Sequence, residues 1–238
     1  MDGIENNTVI DIVIKDIRTL KVFKQYKVPF FTGDKDVLKV KCQNHGIDIS
    51  QLKSALFHVM NNDKEPVYDY NNWELEFLVQ YIVNSHHRYI KTTLIIIMDY
   101  CKKVLEEDQI NDPDVNELFI NLQKLDNLIY AHMDKEEKII FPYICSLEGF
   151  EQDTSKYAPN NGLGESIQAM FKEHGEVVKI MQKLELATFN FDLLKNARGN
   201  LKSLIYKLNE FIDDMILHIH VENNILYKRA LIREEQYH

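Results

Sequence analysis

The sequence predicts an all-α protein, an antiparallel four-helix bundle preceded by a small helical domain. Three observations lead there. Apolar residues recur in steps of three and four over long stretches, only 8 Gly and 5 Pro interrupt 238 residues, and no segment alternates at period two for long enough to demand a sheet. The polar stretch Asn61 to Asn72, which holds Pro66, reads as a linker (61–72) between a small helical domain over 1–60 and a bundle over 73–238. Within the bundle, Asn111 to Asp114 ends one helix and starts the next, with Pro113 just inside the start. Gly149 to Gly164, with Pro159 and the turn Asn160, Asn161, Gly162, makes a second break, and a weaker one lies near Phe189 to Asp192. Four long helices follow, at roughly 73–107, 114–148, 164–188 and 192–232.

Each helix carries an apolar stripe interrupted by one histidine. The first reads Leu75, Val79, Ile82, His86, Tyr89, Thr93, Ile96, Tyr100, and the second Leu125, Ile129, His132, Glu136, Ile139, Tyr143. The third reads Ile167, Met170, His174, Val177, Met181, Leu184, and the fourth Leu208, Phe211, Met215, His218, Glu222, Ile225. These are inward positions, and in an up-down bundle the four histidines fall at one level. An unpaired carboxylate at Glu136 or Glu222 would cost several kcal/mol or protonate, so the two H-x-x-x-E pairs need a buried cationic partner. A metal ion supplies it.

Four imidazoles and two carboxylates with no thiolate favour iron or manganese over copper or structural zinc, with manganese and zinc left open as alternatives to iron. Two ions fit better than one. If Glu136 and Glu222 each bridge two octahedral ions and an oxo or hydroxo group bridges them again, about two of twelve positions stay open to a diatomic or peroxide ligand. Two ferric ions so held keep a modest positive charge and attract an anionic or strongly donating ligand. His87 and His220 lie off the stripes by about 100° or more of helix rotation and read as surface groups or supports behind the ligands. Glu173, beside His174, is a candidate proton relay, although a solvated carboxylate is the simpler expectation. Tyr89 and Tyr130 flank the metal level and read as core packing.

Composition narrows the function classes. The formal charge is −9, with no basic run to follow a phosphate backbone, which argues against nucleic acid. The longest apolar stretch, Thr92 to Met98, falls far short of the roughly 20 residues of a membrane span, and the opening segment has no secretory apolar region. Cys42, Cys101 and Cys145 are too few and too dispersed for a disulfide framework or thiolate cage. A cytoplasmic protein is expected.

Several motifs resemble those of a known family. His132 to Pro142 (HMDKEEKIIFP), Lys172 to Gly175 (KEHG) and His218 to Leu226 (HIHVENNIL), with His86 on the first helix, look like the hemerythrin-like bundle of the di-iron iron-sulfur cluster repair proteins, the RIC family. The resemblance implies metal ligands at His86, His132, His174 and His218 with bridging Glu136 and Glu222. It also implies two iron ions, repair of clusters after nitrosative or oxidative damage, iron-sulfur proteins as partners and a possible homodimer. It reaches the N-terminal domain through Val22 to Tyr26, Gly33 and Ile47 to Leu52. There the family's Cys-Cys-Gly-Gly turn is replaced by Phe31, Thr32, Gly33, Asp34, which argues against thiol-dependent repair chemistry and leaves open turnover or sensing. Tyr227 and Lys228 stand where the family has Phe-Pro, a change expected to affect only the helix end. Oxygen-carrying hemerythrins fit less well, since Val178 and Asn223 occupy the places of their fifth histidine and their aspartate. Ferritin-like proteins use Glu-x-x-His pairs instead.

Overall fold

The computed structural model describes residues 3–28, 36–61, 70–106, 113–148, 158–189 and 199–237. Phe31 to Asp34, Pro66 and residues 190–192 lie outside these. The chain divides into two compact units, Met1–Asp69 and Tyr70–His238. All long elements among the described residues are helices.

The first unit holds α1 (Val9–Lys15), α2 (Thr19–Gln25), α3 (Leu38–His45) and α4 (Ile49–Met60). Local chemistry sets their ends. Thr8 caps α1 by accepting from the Asp11 amide at 3.1 Å while the Asp11 carboxylate accepts from the Thr8 amide at 3.3 Å, a reciprocal pair that satisfies two free amides. Gly46, at φ 64°, closes α3 in a left-handed conformation that a β-carbon would strain, and Asp48 then caps α4 through the amides of Ser50 and Gln51. Val9, Ile12, Val13, Phe23, Leu38, Leu52 and Leu56 form the buried side of this unit.

The second unit is built from four long helices, three of which contain one π turn. Helix α5 runs through Leu75–Tyr81, a π turn at Ile82–His87, and Arg88–Glu106. Helix α6 runs through Pro113–Lys135, a π turn at Glu136–Ile140, and Phe141–Ser146. Helix α7 is Gly162–Phe189, and α8 runs through Gly199–Val221, a π turn at Glu222–Leu226, and Tyr227–Tyr237. Packing is most extensive between α5 and α8 and between α6 and α7. Neighbours run in opposite directions: on α5 and α6, His87 meets Glu137 while Lys91, one turn on, meets Tyr130, one to two turns back. On α7 and α8, His174 meets Asn223 while Phe171 meets Tyr227. An apolar layer of Leu78, Ile82, Phe141, Ile144, Ile167 and Leu226 fills one end of the bundle. None of the helices among the described residues is long and apolar enough to cross a membrane.

The π turns correct two of the stripes expected for straight helices. A π turn inserts one residue, and everything beyond it rotates by about 100°. On α5 the buried apolar stripe therefore passes from Ile82 to His87, Ile90, Leu94, Ile97, Cys101 and Val104; of the expected stripe His86 and Thr93 are also buried, while Ile96 is 43% exposed. On α6 it passes from Glu136 to Ile140, and Ile139 is 48% exposed. Pro142 gives a local reason for the turn in α6, because it has no amide to donate and would crowd the carbonyl of a regular turn before it. The stripes of α7 and α8 are buried as their spacing predicts. Tyr130 is half-exposed rather than core, with its hydroxyl donating to the Lys91 carbonyl at 3.2 Å.

The register shift has a direct test in paired substitutions on α5. Ile97→Ala should lower unfolding free energy by about 2–5 kcal/mol, the usual cost of emptying a buried aliphatic site. Ile96→Ala should stay within about 0.5 kcal/mol of wild type. Urea unfolding measures both, and the reverse order would restore the straight-helix register.

Candidate metal centre

The π turns bring six side chains together at one level of the bundle. His87, Glu136, His218 and Glu222 form one group of buried potential ligands, and His132, Glu136, His174 and Glu222 form a second, each with its donor atoms within 4.8 Å of one another. Both carboxylates belong to both groups. His87, Glu136 and Glu222 have side chains with 0% exposure, and the other three are almost as deeply buried.

The ring nitrogens converge as ligands would. His132 Nε2 lies 2.8 Å from His174 Nε2, and His87 Nε2 lies 3.2 Å from His218 Nε2. Nε2 to carboxylate distances are 3.1 Å for His132 to Glu136, 3.4 Å for His87 to Glu136, 3.2 Å for His174 to Glu222 and 2.7 Å for His218 to Glu222. An ion holding nitrogen and oxygen ligands at about 2.0–2.2 Å sets neighbouring ligand atoms roughly 3 Å apart. The set fits that spacing. One oxygen on each glutamate, Oε2, is buried with no hydrogen-bond partner, which places uncompensated acceptors where a cation would sit.

Partners behind three of the rings aim them. His87 Nδ1 is 2.8 Å from Glu137 Oε1, His132 Nδ1 is 2.9 Å from Glu173 Oε2, and His174 Nδ1 is 2.7 Å from Asn223 Oδ1. An N–H donated on that side turns the Nε2 lone pair inward and raises its basicity. Glu137 is held in turn by Lys91 at 2.7 Å, and Glu173 by Lys135. Buried His218 Nδ1 has no such partner among the described residues.

The α5 member of the cluster is His87, not His86 as the straight-helix stripe predicts. The π turn at Ile82–His87 supplies the extra residue that carries His87 inward. His86 sits beside the group, its ring stacked on His218 with centroids 5.7 Å apart and its Nδ1 3.0 Å from Asp214 Oδ1. His87 is not a surface group, since its side chain is fully buried inside the cluster. A signal for this exists in the sequence: Ile90, Leu94, Ile97, Cys101 and Val104 continue in steps of three and four from His87, out of phase with Leu75, Leu78 and Ile82. His220 is buried beside Asn224, and burial pulls its pKa down to about 4.

The sequence does not reveal the contacts that Glu137, Asn223 and Tyr227 make at the site. Tyr227 is the largest of the fully buried side chains, and its hydroxyl donates to Glu136 Oε1. Its ring stacks on His174 with centroids 6.4 Å apart. Burial, reinforced by the Glu136 and Glu222 charges, pushes its hydroxyl well above the ordinary range. Tyr227 therefore reaches the site itself, so the change at this position is not confined to a helix end.

Charge inside the cluster is balanced by protons when no metal is bound. Burial pulls His87 down, but hydrogen bonds and charge from Glu136 and Glu222 outweigh it and raise its pKa to about 10. His132 rises to about 10 for the same reason, with Glu136 the main partner and Glu173 helping. Burial and Glu222 push Glu136 up, yet His132 and His87 win and hold it near 2. A histidine raised in the folded state adds stability that is complete below its unfolded value near 6.5 and is lost as pH climbs through about 10. A lowered carboxylate adds stability present above about 4.5 and lost as pH falls through about 2. Metal-stripped protein should therefore lose thermal stability steadily from pH 6.5 to 10. Loading it at pH 7.5 should release about two protons per chain, from His87 and His132. Titration calorimetry in buffers of different ionisation heat reads that number, and zero release would contradict the protonated cluster.

Residues 78–230 match the family model described as the hemerythrin HHE cation binding domain. The chain is 27% identical over 216 residues to a "probable iron-sulfur cluster repair protein" of Haemophilus influenzae, covering 89% of this chain and 90% of that protein. It is 26% identical to the iron-sulfur cluster repair protein YtfE of Edwardsiella ictaluri, over 93% of this chain and 95% of the relative. Against the protein of the same name from Salmonella paratyphi B it is 28% identical, over 91% and 93%. A helical bundle with a buried histidine and glutamate cluster inside the matched segment agrees with these likenesses. The chain belongs to the hemerythrin HHE cation-binding domain family.

Proposed function

We propose that this is a cytoplasmic non-haem di-iron protein that binds or reduces nitric oxide or reactive oxygen species and supports repair of damaged iron-sulfur clusters. The observation that carries the two-metal reading is the sharing of Glu136 and Glu222 between two histidine pairs. His87 and His218 would hold one ion and His132 and His174 the other, with Glu136 and Glu222 available to both. Nitrogen and oxygen donors without thiolate favour iron, and the names of the relatives support the repair role. A bound iron pair would supply two electrons, one per iron, and open positions for a small ligand.

The protein's own side chains have defined tasks in this scheme. Glu137, Glu173 and Asn223 fix the ring orientations, so that the ligands are arranged before a metal arrives. Reducing peroxide to two waters consumes two protons along with two electrons, and Glu173 is the proposed carboxylate that would exchange protons between the edge of the site and solvent. It reaches from His132 Nδ1 to Lys135, whose side chain is half-exposed. The apolar layer on one side of the cluster keeps water from that side of the bridging carboxylates.

A second reading uses the same centre as a sensor that binds oxygen, nitric oxide or iron without turnover. The sequence Phe31, Thr32, Gly33, Asp34 in place of a vicinal cysteine pair favours it. Anaerobic protein loaded with ferrous iron, given reductant and nitric oxide in a closed headspace, separates the two. Sustained consumption supports reduction, uptake of one or two molecules per chain supports sensing, and no uptake contradicts both.

Ligand assignments carry their own prediction. Glu136→Ala, Glu222→Ala and His87→Gln should each lower bound iron per chain and lower the melting temperature of the loaded protein together. His86→Gln should leave the iron count unchanged. Iron retained in His87→Gln and lost in His86→Gln would return the α5 ligand to the straight-helix position.

A further inference from the structure

We propose that Tyr227 is a positioning residue for the metal centre: its phenol O–H, donated to Glu136 Oε1, holds that carboxylate and weakens it as a metal donor. The inference rests on the two-metal reading above.

The geometry is specific. Tyr227 follows directly on the π turn Glu222–Leu226, so the residue inserted by that turn sets where its ring points. The ring is wedged between His174, nearly parallel at 17°, and Phe171, with centroids 6.1 Å apart. It cannot swing away without opening this packing. The hydroxyl reaches Glu136 on α6 from α8, linking two of the four helices at the level of the cluster. Each Glu136 oxygen faces an imidazole, Oε1 at 3.1 Å from His132 Nε2 and Oε2 at 3.4 Å from His87 Nε2, but Oε1 alone also accepts the tyrosine O–H. The two oxygens of this glutamate are therefore unequal: the one on the His132 side carries a hydroxyl donor and the one on the His87 side does not. Glu222, the other carboxylate, accepts from no hydroxyl among the hydrogen bonds of the described residues, and its charged partners are the histidines His87, His174 and His218. The tyrosine thus makes the two glutamates, and with them the two metal positions, inequivalent.

The consequence follows from donor strength. A carboxylate oxygen that accepts an O–H bond has less electron density to give a metal, and hydrogen bonds to charged groups are the stronger kind. A weaker carboxylate stabilises the lower oxidation state relative to the higher. Removing the hydroxyl while keeping the ring should favour the oxidised metal by roughly tenfold in the one-electron equilibrium, which corresponds to a midpoint potential about 59 mV lower. A role confined to packing would leave the potential alone.

The test uses the full-length protein loaded with iron, comparing wild type, Tyr227→Phe and Phe171→Leu. Metal content, the midpoint potential from a mediated optical titration, and the visible spectrum of the ferric form are read for each. We expect wild-type iron content in Tyr227→Phe with the potential lowered by the stated amount, and an unchanged potential in Phe171→Leu, which disturbs the same packing without touching the hydroxyl. Equal potentials in wild type and Tyr227→Phe overturn the inference while leaving the two-metal reading intact. A phenolate-to-iron charge-transfer band in the wild type that Tyr227→Phe loses also overturns it, because Tyr227 would then be a ligand and not a hydrogen-bond donor. A wild-type protein that takes up no iron overturns this inference and the metal reading together.

Discussion

Two carboxylates buried side by side are the constraint on which the bundle depends. Glu136 and Glu222 raise each other's proton affinity and lose their hydration inside an apolar interior, so the fold must surround them with positive charge or pay in stability. The structure answers with four imidazoles converging from four helices. Without metal, protonated His87 and His132 carry the compensating charge; a bound ion would supply it in their place. Either way the site ties together helices that otherwise meet through interchangeable apolar contacts. This coupling makes metal binding, protonation and folding one equilibrium.

The three π turns are the backbone device that makes such convergence possible. A regular α-helix keeps a stripe on one face, but a ligand set needs successive residues to enter the core at angles that the 3.6-residue period does not supply. One extra residue per turn provides the adjustment, and it does so at His87, Glu136 and Glu222, three of the six side chains that converge in the cluster. On α8 the same device delivers Tyr227 to the site. Helix α7, which contributes only His174, needs no such turn, and its buried stripe keeps regular spacing from Ile167 to Leu184.

Much of this was legible in the sequence, for physical reasons that also explain the exceptions. Helical periodicity located the four long helices, because burial of one face leaves a repeating mark that loops do not erase. His132, Glu136, His174, His218 and Glu222 stood out because polar groups on an apolar stripe are costly and need a reason. A straight-helix stripe points to His86 in place of His87, and nothing in the residues from Tyr81 to Arg88 marks a π turn except the change of phase that follows it. Glu137 and Asn223 look like ordinary polar residues, since their task is to touch the far side of a ring contributed by another helix. Tyr227 was read as a helix-end change because its contact with Glu136 spans 91 positions and is invisible to any local pattern.

Diffraction at the iron absorption edge, from crystals grown with excess iron, tests the central claim most directly. The account predicts two anomalous peaks between Glu136 and Glu222, one flanked by His87 and His218 and the other by His132 and His174. A single peak, a peak beside His86, or no peak between the two carboxylates would contradict it.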